Sequence, residues 1–325
     1  MKQVRMIKPW QRGSVSDPQP LLVGAIYEFE DEYAAHLIAE GVAVEVAFGW
    51  IKQEDSPKDY TLKPEFVAEK ATALPTSWDL RTTGFMPPIV DQGALGSCTA
   101  NAAEGIMRYM EQKQGTQAPP LSRLYTYYMT RVKIEHSPAN QDTGCTIRGT
   151  MQSLVTYGIC LESTWPYIIS KFNIAPTAAM ITEGQLRQVL FYALLDPTGS
   201  TTAQILANIK TMIASGYPVE IGFDVYASFL TIGSNGLMPY PAIGESYKGG
   251  HAVDIIGYND AIQCPNATKG AFLVRNSWGA SWGLAGYFWM PYDILTKPFN
   301  GRRMLSDCWA AGKVESGLAM INKGA

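Results

Sequence analysis

Three histidines and five cysteines are the residues of this 325-residue chain best suited to nucleophilic chemistry, and their neighbours tell them apart. Cys98 stands in VDQGALGSCTANAAEG, where a Gly-rich loop runs into a helical pattern that begins at about the cysteine. A thiol at a helix N-terminus feels the positive end of the helix dipole, which favours thiolate, and a neighbouring imidazolium favours it further. His251 stands in YKGGHAVDIIGY, where two glycines let the backbone turn tightly and the apolar strand that follows fixes the ring. His36 falls inside an expected helix and His136 in the polar segment KIEHSPANQD, so both read as surface residues. A lone cysteine is most often a buried structural residue, and that reading is kept for Cys145, Cys160, Cys264 and Cys308.

The elements that must position Cys98 and His251 differ along the chain. Residues 1–48 read as a small β-β-α-β module: VRMIKPW, a Gly/Ser/Pro-rich turn region, strand-like LLVGAIYEF, a helix over Asp31–Glu40 with acids at its start and Gly41 at its end, then VAVEVA as a closing strand. Residues 49–73 are polar without clear periodicity and read as a linker, or as a short propeptide-like arm lying over the next domain. The main boundary is placed near Leu74, with one domain over 74–325. In its first half, CTANAAEGIMRYMEQ carries Ala103, Ile106, Met107 and Met110 at helical spacing, and SRLYTYYMTRV and TIRGTMQSLVTYG read as further helices, the latter capped by Gly158. After about residue 185 the short apolar runs QVLFYALL, YPVEIGFDV, HAVDIIGYN, GAFLVRNSW and AGYFWMPY predict strands, with AQILANIKTMIASG as one helix among them. The fold class is α+β with a helical lobe and a β-barrel-like lobe.

Three short motifs, DQGALGSC, GGHAV and RNSWGASWG, occur in that order, with 153 residues from Cys98 to His251. Together they give the chain a resemblance to the papain family of cysteine peptidases over residues 74 to about 292; LSRLYTYYMTR and GYFWMPYD look like bacterial or viral branches of it. The resemblance implies a papain-like fold, with Cys98 as nucleophile, His251 as its base and Asn276 orienting the imidazole. It also implies Gln92 as a donor to the oxyanion, beside the Cys98 backbone N–H, and Trp278 as a cover for the Asn276–His251 bond. The local sequence LGSCT departs from C-G-[SA]-C-[WY]: the missing first Cys removes a family disulfide and Thr99 replaces an aromatic residue. Gly250 replaces an acidic residue found before the His in some relatives. The pocket for the second residue before the cut, which sets preference in this family, is expected around Gly144, Cys145, Ala252, Met304 and Leu305 and to take a medium apolar side chain.

Lys and Arg total 26 against 29 Asp and Glu, and the net charge of −3 resides in the first 50 residues. Neither a nucleic-acid footprint nor a basic membrane helix is offered, and the expected partner is a protein or peptide substrate. No signal peptide or membrane span is read, the cysteines are few and unpaired in pattern, and a reducing, cytoplasmic or virion-associated setting is expected. No cofactor or metal motif is present, and Asn266-Ala267-Thr268 reads as a surface loop although it matches a glycosylation acceptor. EDEYAAHLIAEGVAVEV looks like short modules of tailed-phage proteins, which raises contact with virion proteins. The expected function is a cysteine endopeptidase; the alternatives are a virion or scaffold component that mainly binds, and an acyl transferase using the same residues.

Overall fold

A computed structural model describes residues 1–8, 23–71, 74–116, 118–312 and 320–322. The Gly/Ser/Pro-rich segment expected between the first two strands lies outside these residues. The N-terminal module contains β1 (Lys2–Met6), β2 (Ile26–Phe29), α1 (Asp31–Ala39) and β3 (Ala43–Glu45), in a sheet of order β2-β1-β3. Asp31 and Glu32 occupy the first turn of α1, where the dipole favours acids, and Gly41 follows it at φ +65°, a backbone that glycine adopts without steric cost. Val4, Met6, Ala34, Leu37, Val42 and Ala43 give this module its own core.

The segment after it does not hang free. β4 (Thr61–Leu62) enters the large sheet between β6 (Phe191–Leu194) and β12 (Ile321–Asn322), and α2 (Pro64–Ala71) packs on α7 (Thr202–Ala214). Two further links come from Arg148, which donates to Asp59 Oδ1 (2.7 Å) and to the Glu54 carbonyl (2.7 Å). β5 (Ser77–Asp79) then pairs with β8 (Tyr247–Gln263).

The helical lobe comprises α3 (Cys98–Lys113), α4 (Arg123–Tyr128), which continues as a π-turn over Met129–Ile134, α5 (Ile147–Thr156) and α6 (Ala178–Gly184). Thr146 caps α5 by accepting from Gly149 N–H, and Gly158, at φ +62°, lies just beyond its end, as expected. The amphipathic face expected for α3 proved too narrow a description: the helix is buried from Cys98 through Glu111, because it runs between the lobes and packs on β8 and β7. Its polar residues are accommodated inside, with Glu104 accepting from Arg108 at 3.3 Å.

The sheet lobe contains β6 (Phe191–Leu194), α7 (Thr202–Ala214), β7 (Val219–Tyr226), β8 (Tyr247–Gln263), β9 (Lys269–Arg275), β10 (Tyr287–Pro291), β11 (Leu305–Gly312) and β12 (Ile321–Asn322). Strand order is β10-β9-β8-β7-β11-β6-β4-β12. The residues after 293 carry no clear role in the sequence, yet β11 is a fully buried strand between β7 and β6. All five cysteines are free thiols and buried.

Candidate active site

Cys98 is the first residue of α3, directly after the Gly93–Ser97 loop, and the backbone groups of Ala252, Gly49 and Thr99 around its sulfur favour thiolate. No side chain caps this helix end, so its first-turn N–H groups are left for the thiol and its chemistry. His251 lies on β8, which α3 crosses, with Asn276 just past β9. The His251 Nε2–H donates to Asn276 Oδ1 at 2.8 Å, and that oxygen also accepts from Ser277 N–H at 2.8 Å. This fixes the tautomer: Nδ1 carries the lone pair, and it is buried without a hydrogen-bond partner. The Trp278 indole stacks on the imidazole, centroids 4.8 Å apart and planes 23° apart, and shields it from water.

Gln92 is held by the same loop. Its N–H donates to the Ser277 carbonyl at 2.8 Å, while Ser277 Oγ donates to Gln92 Oε1 at 2.6 Å. With its oxygen so engaged, the carboxamide turns its NH2 towards the cleft, where Nε2 donates to Leu95 O and Ala47 O, each at 3.1 Å. Ser277 was not anticipated from sequence, although it lies within the RNSWG motif.

The acceptor Ala47 belongs to a strap that fills the cleft. Ala47 O sits on Gln92, and Phe48 packs edge-on against His251 and Trp278 at about 6 Å. Gly49 O accepts from Cys145 N (2.8 Å), Trp50 N donates to Gly250 O (3.1 Å), and Ile51 N donates to Cys145 O (3.0 Å). Glycine is required at 49, because a Cβ there would lie 1.8 Å from Gly96 O. Gly144 allows the same approach from the other side, since its Cβ would fall 2.2 Å from Gly49 O. The Trp50 ring lies over Gly222 and Gly250, whose Cβ atoms would come within 2.0 and 2.7 Å of it. Gly250 therefore has a local reason to lack a side chain. The occupant begins at Ala47, within the residues assigned by sequence to the module.

Gly144, Cys145 and Ala252 of the expected pocket line this strap, and Met304 and Leu305 are buried in the hydrophobic cluster that also holds Trp50 and Ala252. Leu305 pairs with Phe223 and the next residue, Ser306, with Gly222, so the two turn to opposite faces of the sheet. The residue that meets Trp50 from β11 is Asp307, whose Oδ2 accepts from Trp50 Nε1 at 3.0 Å. His36 and His136 are exposed, as expected. The module is clamped over the site by a buried Arg5 paired with Asp91 and by Lys248 with Glu28 (2.9 Å).

Covering the site changes its electrostatics. Burial pushes the Cys98 thiol up to about 12, against the backbone groups that favour thiolate. Burial also lowers His251 to about 4, against the bond to Asn276. The covered pair therefore rests as neutral thiol and neutral imidazole.

The family model described as "Papain family cysteine protease" matches residues 74–297. An uncharacterized peptidase C1-like protein of Acanthamoeba polyphaga mimivirus is 33% identical over 82% of this chain and 87% of its own length. Cysteine proteinase 3 of Entamoeba histolytica is 27% identical over 68% of this chain, which spans 64% of that protein. Among solved structures, xylellain, a cysteine protease from Xylella fastidiosa, superposes with a TM-score of 0.68 at 29% identity, covering 83% of this chain and 97% of xylellain.

Proposed function

Since this chain belongs to the papain family and is a cysteine peptidase, we propose that it hydrolyses peptide bonds of protein substrates through Cys98, His251, Asn276 and Gln92, and that residues 47–50 restrain it. The observation that carries this reading is the Ala47 carbonyl on Gln92 Nε2 at 3.1 Å: beside the Cys98 thiol, the site already holds a peptide carbonyl on its oxyanion donor. The viral and bacterial relatives support placing the chain with those branches of the family.

In the open cleft, the Cys98 proton passes to His251 Nδ1 and the thiolate attacks the scissile carbonyl carbon. Negative charge develops on the carbonyl oxygen, where Gln92 Nε2–H and the Cys98 backbone N–H donate to it. The C–N bond breaks as His251 returns the proton to the leaving amine. Water, deprotonated by His251, then cleaves the thioester to release the acid and restore the thiol. Asn276 keeps Nε2 protonated throughout, so that Nδ1 remains the working nitrogen.

The test uses a chain lacking residues 1–50, which keeps β4 and α2. Iodoacetamide is expected to label Cys98, and hydrolysis of a fluorogenic peptide amide to fall in proportion to the labelling. Full labelling of Cys98 with hydrolysis intact, or no hydrolysis by this chain, would sink the assignment. In the same background, Gln92→Ala is expected to lower kcat by about 100-fold with little change in KM, the loss typical of one oxyanion donor.

A further inference from the structure

The two donors assigned to the oxyanion sit at opposite ends of one short loop: Gln92 opens it, and the Cys98 backbone N–H follows Ser97 at its close. Ser277 holds Gln92 from the sheet lobe. From the helical lobe, a single hydroxyl holds both ends of the loop. Tyr167 Oη lies 2.9 Å from Gln92 O and 2.6 Å from Ser97 Oγ, although it stands 75 and 70 positions further along the chain.

The direction of these bonds follows from the partners. Gln92 O is a carbonyl and can only accept, so Tyr167 places its one proton there and must accept from Ser97 Oγ–H. Ser97 Oγ in turn accepts from Nδ2 of Asn101, in the first turn of α3, at 3.0 Å. The same Nδ2 donates to Ser97 O at 2.9 Å, and that oxygen also accepts from the Asn101 backbone N–H at 3.1 Å. Ser97 O belongs to the peptide group whose other end is the Cys98 N–H, so these bonds fix the plane of that donor and polarise it. Arg123 completes the chain. Its Nη1 donates to Asn101 Oδ1 at 2.8 Å and to Asp91 O at 2.9 Å, and its guanidinium lies over the Tyr167 ring, 3.9 Å from the centroid.

Tyr167 is itself fixed in place. Its backbone N–H donates to Glu162 Oε1 at 2.6 Å, and the Trp165 carbonyl, two residues earlier, accepts from Ser122 Oγ at the start of α4 at 2.7 Å. Its ring packs against the core cluster that holds Leu95 of the same loop. Burial raises the phenol above its ordinary value, so the hydroxyl keeps the proton that it donates.

Resting on the peptidase reading above, we propose that Tyr167 is a positioning residue for the reaction: its hydroxyl clamps the two ends of the Gln92–Ser97 loop so that Gln92 Nε2–H and the Cys98 N–H converge on one oxyanion. The clamp matters as charge develops on the carbonyl oxygen. It leaves the thiol–imidazole pair alone, because Asn276 and Trp278 hold that pair from the other lobe.

The experiment takes the full chain carrying Trp50→Ala as parent and adds Tyr167→Phe, which removes the hydroxyl and keeps the ring. For a fluorogenic peptide amide, kcat is expected to fall about tenfold with KM within about twofold of the parent. Iodoacetamide should label Cys98 at the parent's rate and with its pH profile, because alkylation builds no charge on a carbonyl oxygen. In a Gln92→Ala background the same substitution should lower kcat by less than about threefold, since one of the two donors it aligns is gone. A kcat within about twofold of the parent would overturn the inference and leave the peptidase intact. A kcat loss matched by slower labelling would also overturn it, by making Tyr167 a support of the whole site, as would a loss undiminished in Gln92→Ala. Ser97→Ala releases the other end of the clamp and should lower kcat by a smaller factor with labelling again unchanged, so the outcome does not hinge on the folding of Tyr167→Phe. A parent that cleaves no peptide would overturn the peptidase reading and this inference with it.

Discussion

Replacing Trp50 by alanine is expected to raise peptide hydrolysis by the full chain about 100- to 1,000-fold, with a matching rise in the rate at which iodoacetamide labels Cys98. Trp50 is 8% exposed and contributes both a large apolar contact over Gly222 and the indole bond to Asp307. Truncating a buried tryptophan costs about 3–5 kcal/mol, and each 1.4 kcal/mol is a factor of ten in an equilibrium constant. The loss falls on the seated form alone, because once the strap has left the cleft residue 50 faces water. The variant should approach the rate of the chain lacking residues 1–50; a wild-type chain already as fast as that one would show that the strap does not restrain the enzyme. The catalytic pair itself should leave opening nearly independent of pH between about 5 and 8. His251 alone, held down to about 4 while covered, would take up a proton on opening, so acid would favour the open form. Cys98 alone, held up to about 12 while covered, would release one, so alkali would favour it. When the thiol proton passes to the imidazole the two cancel, and the pair gains charge separation without a net change in bound protons.

An arm over residues 49–73 lying on the next domain is open to the sequence, but the residues that enter the cleft are not marked in it, and the range of their contacts is the reason. AFGWIK stands out in the sequence as apolar residues bordering a polar stretch, but what makes it a plug is the match of Gly49 to Gly96 and of Trp50 to Gly222 and Asp307. Those partners lie far along the chain, and local pattern carries no information on them. The local features read well for the opposite reason. The acids and Gly41 of α1, the Gly158 cap and the apolar runs of β7 to β10 each act through neighbours a few residues away. β11 lacked such a signal. Its LSDCWAAG is neither alternating nor uniformly apolar, since Asp307 bends the strand and the register shifts between Ser306 and Trp309. That same irregularity turns Asp307 towards Trp50. Cys98 and His251 were legible from their own glycine-flanked settings. Gln92 and Asn276 came only from the resemblance, because a glutamine in a turn and an asparagine at a strand end have no local mark. The bonds that the Ser277 backbone and hydroxyl make to Gln92 and Asn276 tie the three motifs into one site.

Cys98→Ala and His251→Ala, each in the chain freed of its strap, are expected to lower kcat by about 10⁴-fold or more, and the double variant no further than the worse single. The thiolate exists in useful amount only while the imidazole holds its proton, so removing either residue abolishes the same covalent route. Their losses must then overlap, and independent sites would show additive ones. Labelling separates the two roles. His251→Ala keeps the thiol, which should react slowly near neutral pH and follow an ordinary thiol titration near 8.5, whereas the intact pair should stay reactive well below pH 6. Asn276→Ala should leave this low-pH reactivity largely in place while lowering kcat by a smaller factor, because it frees the ring to turn and to change tautomer without removing the proton acceptor. Equal labelling profiles with and without His251 would remove the imidazole from the activation of Cys98. Fully additive losses would mean that the two side chains act in separate steps, contrary to a shared proton on Nδ1.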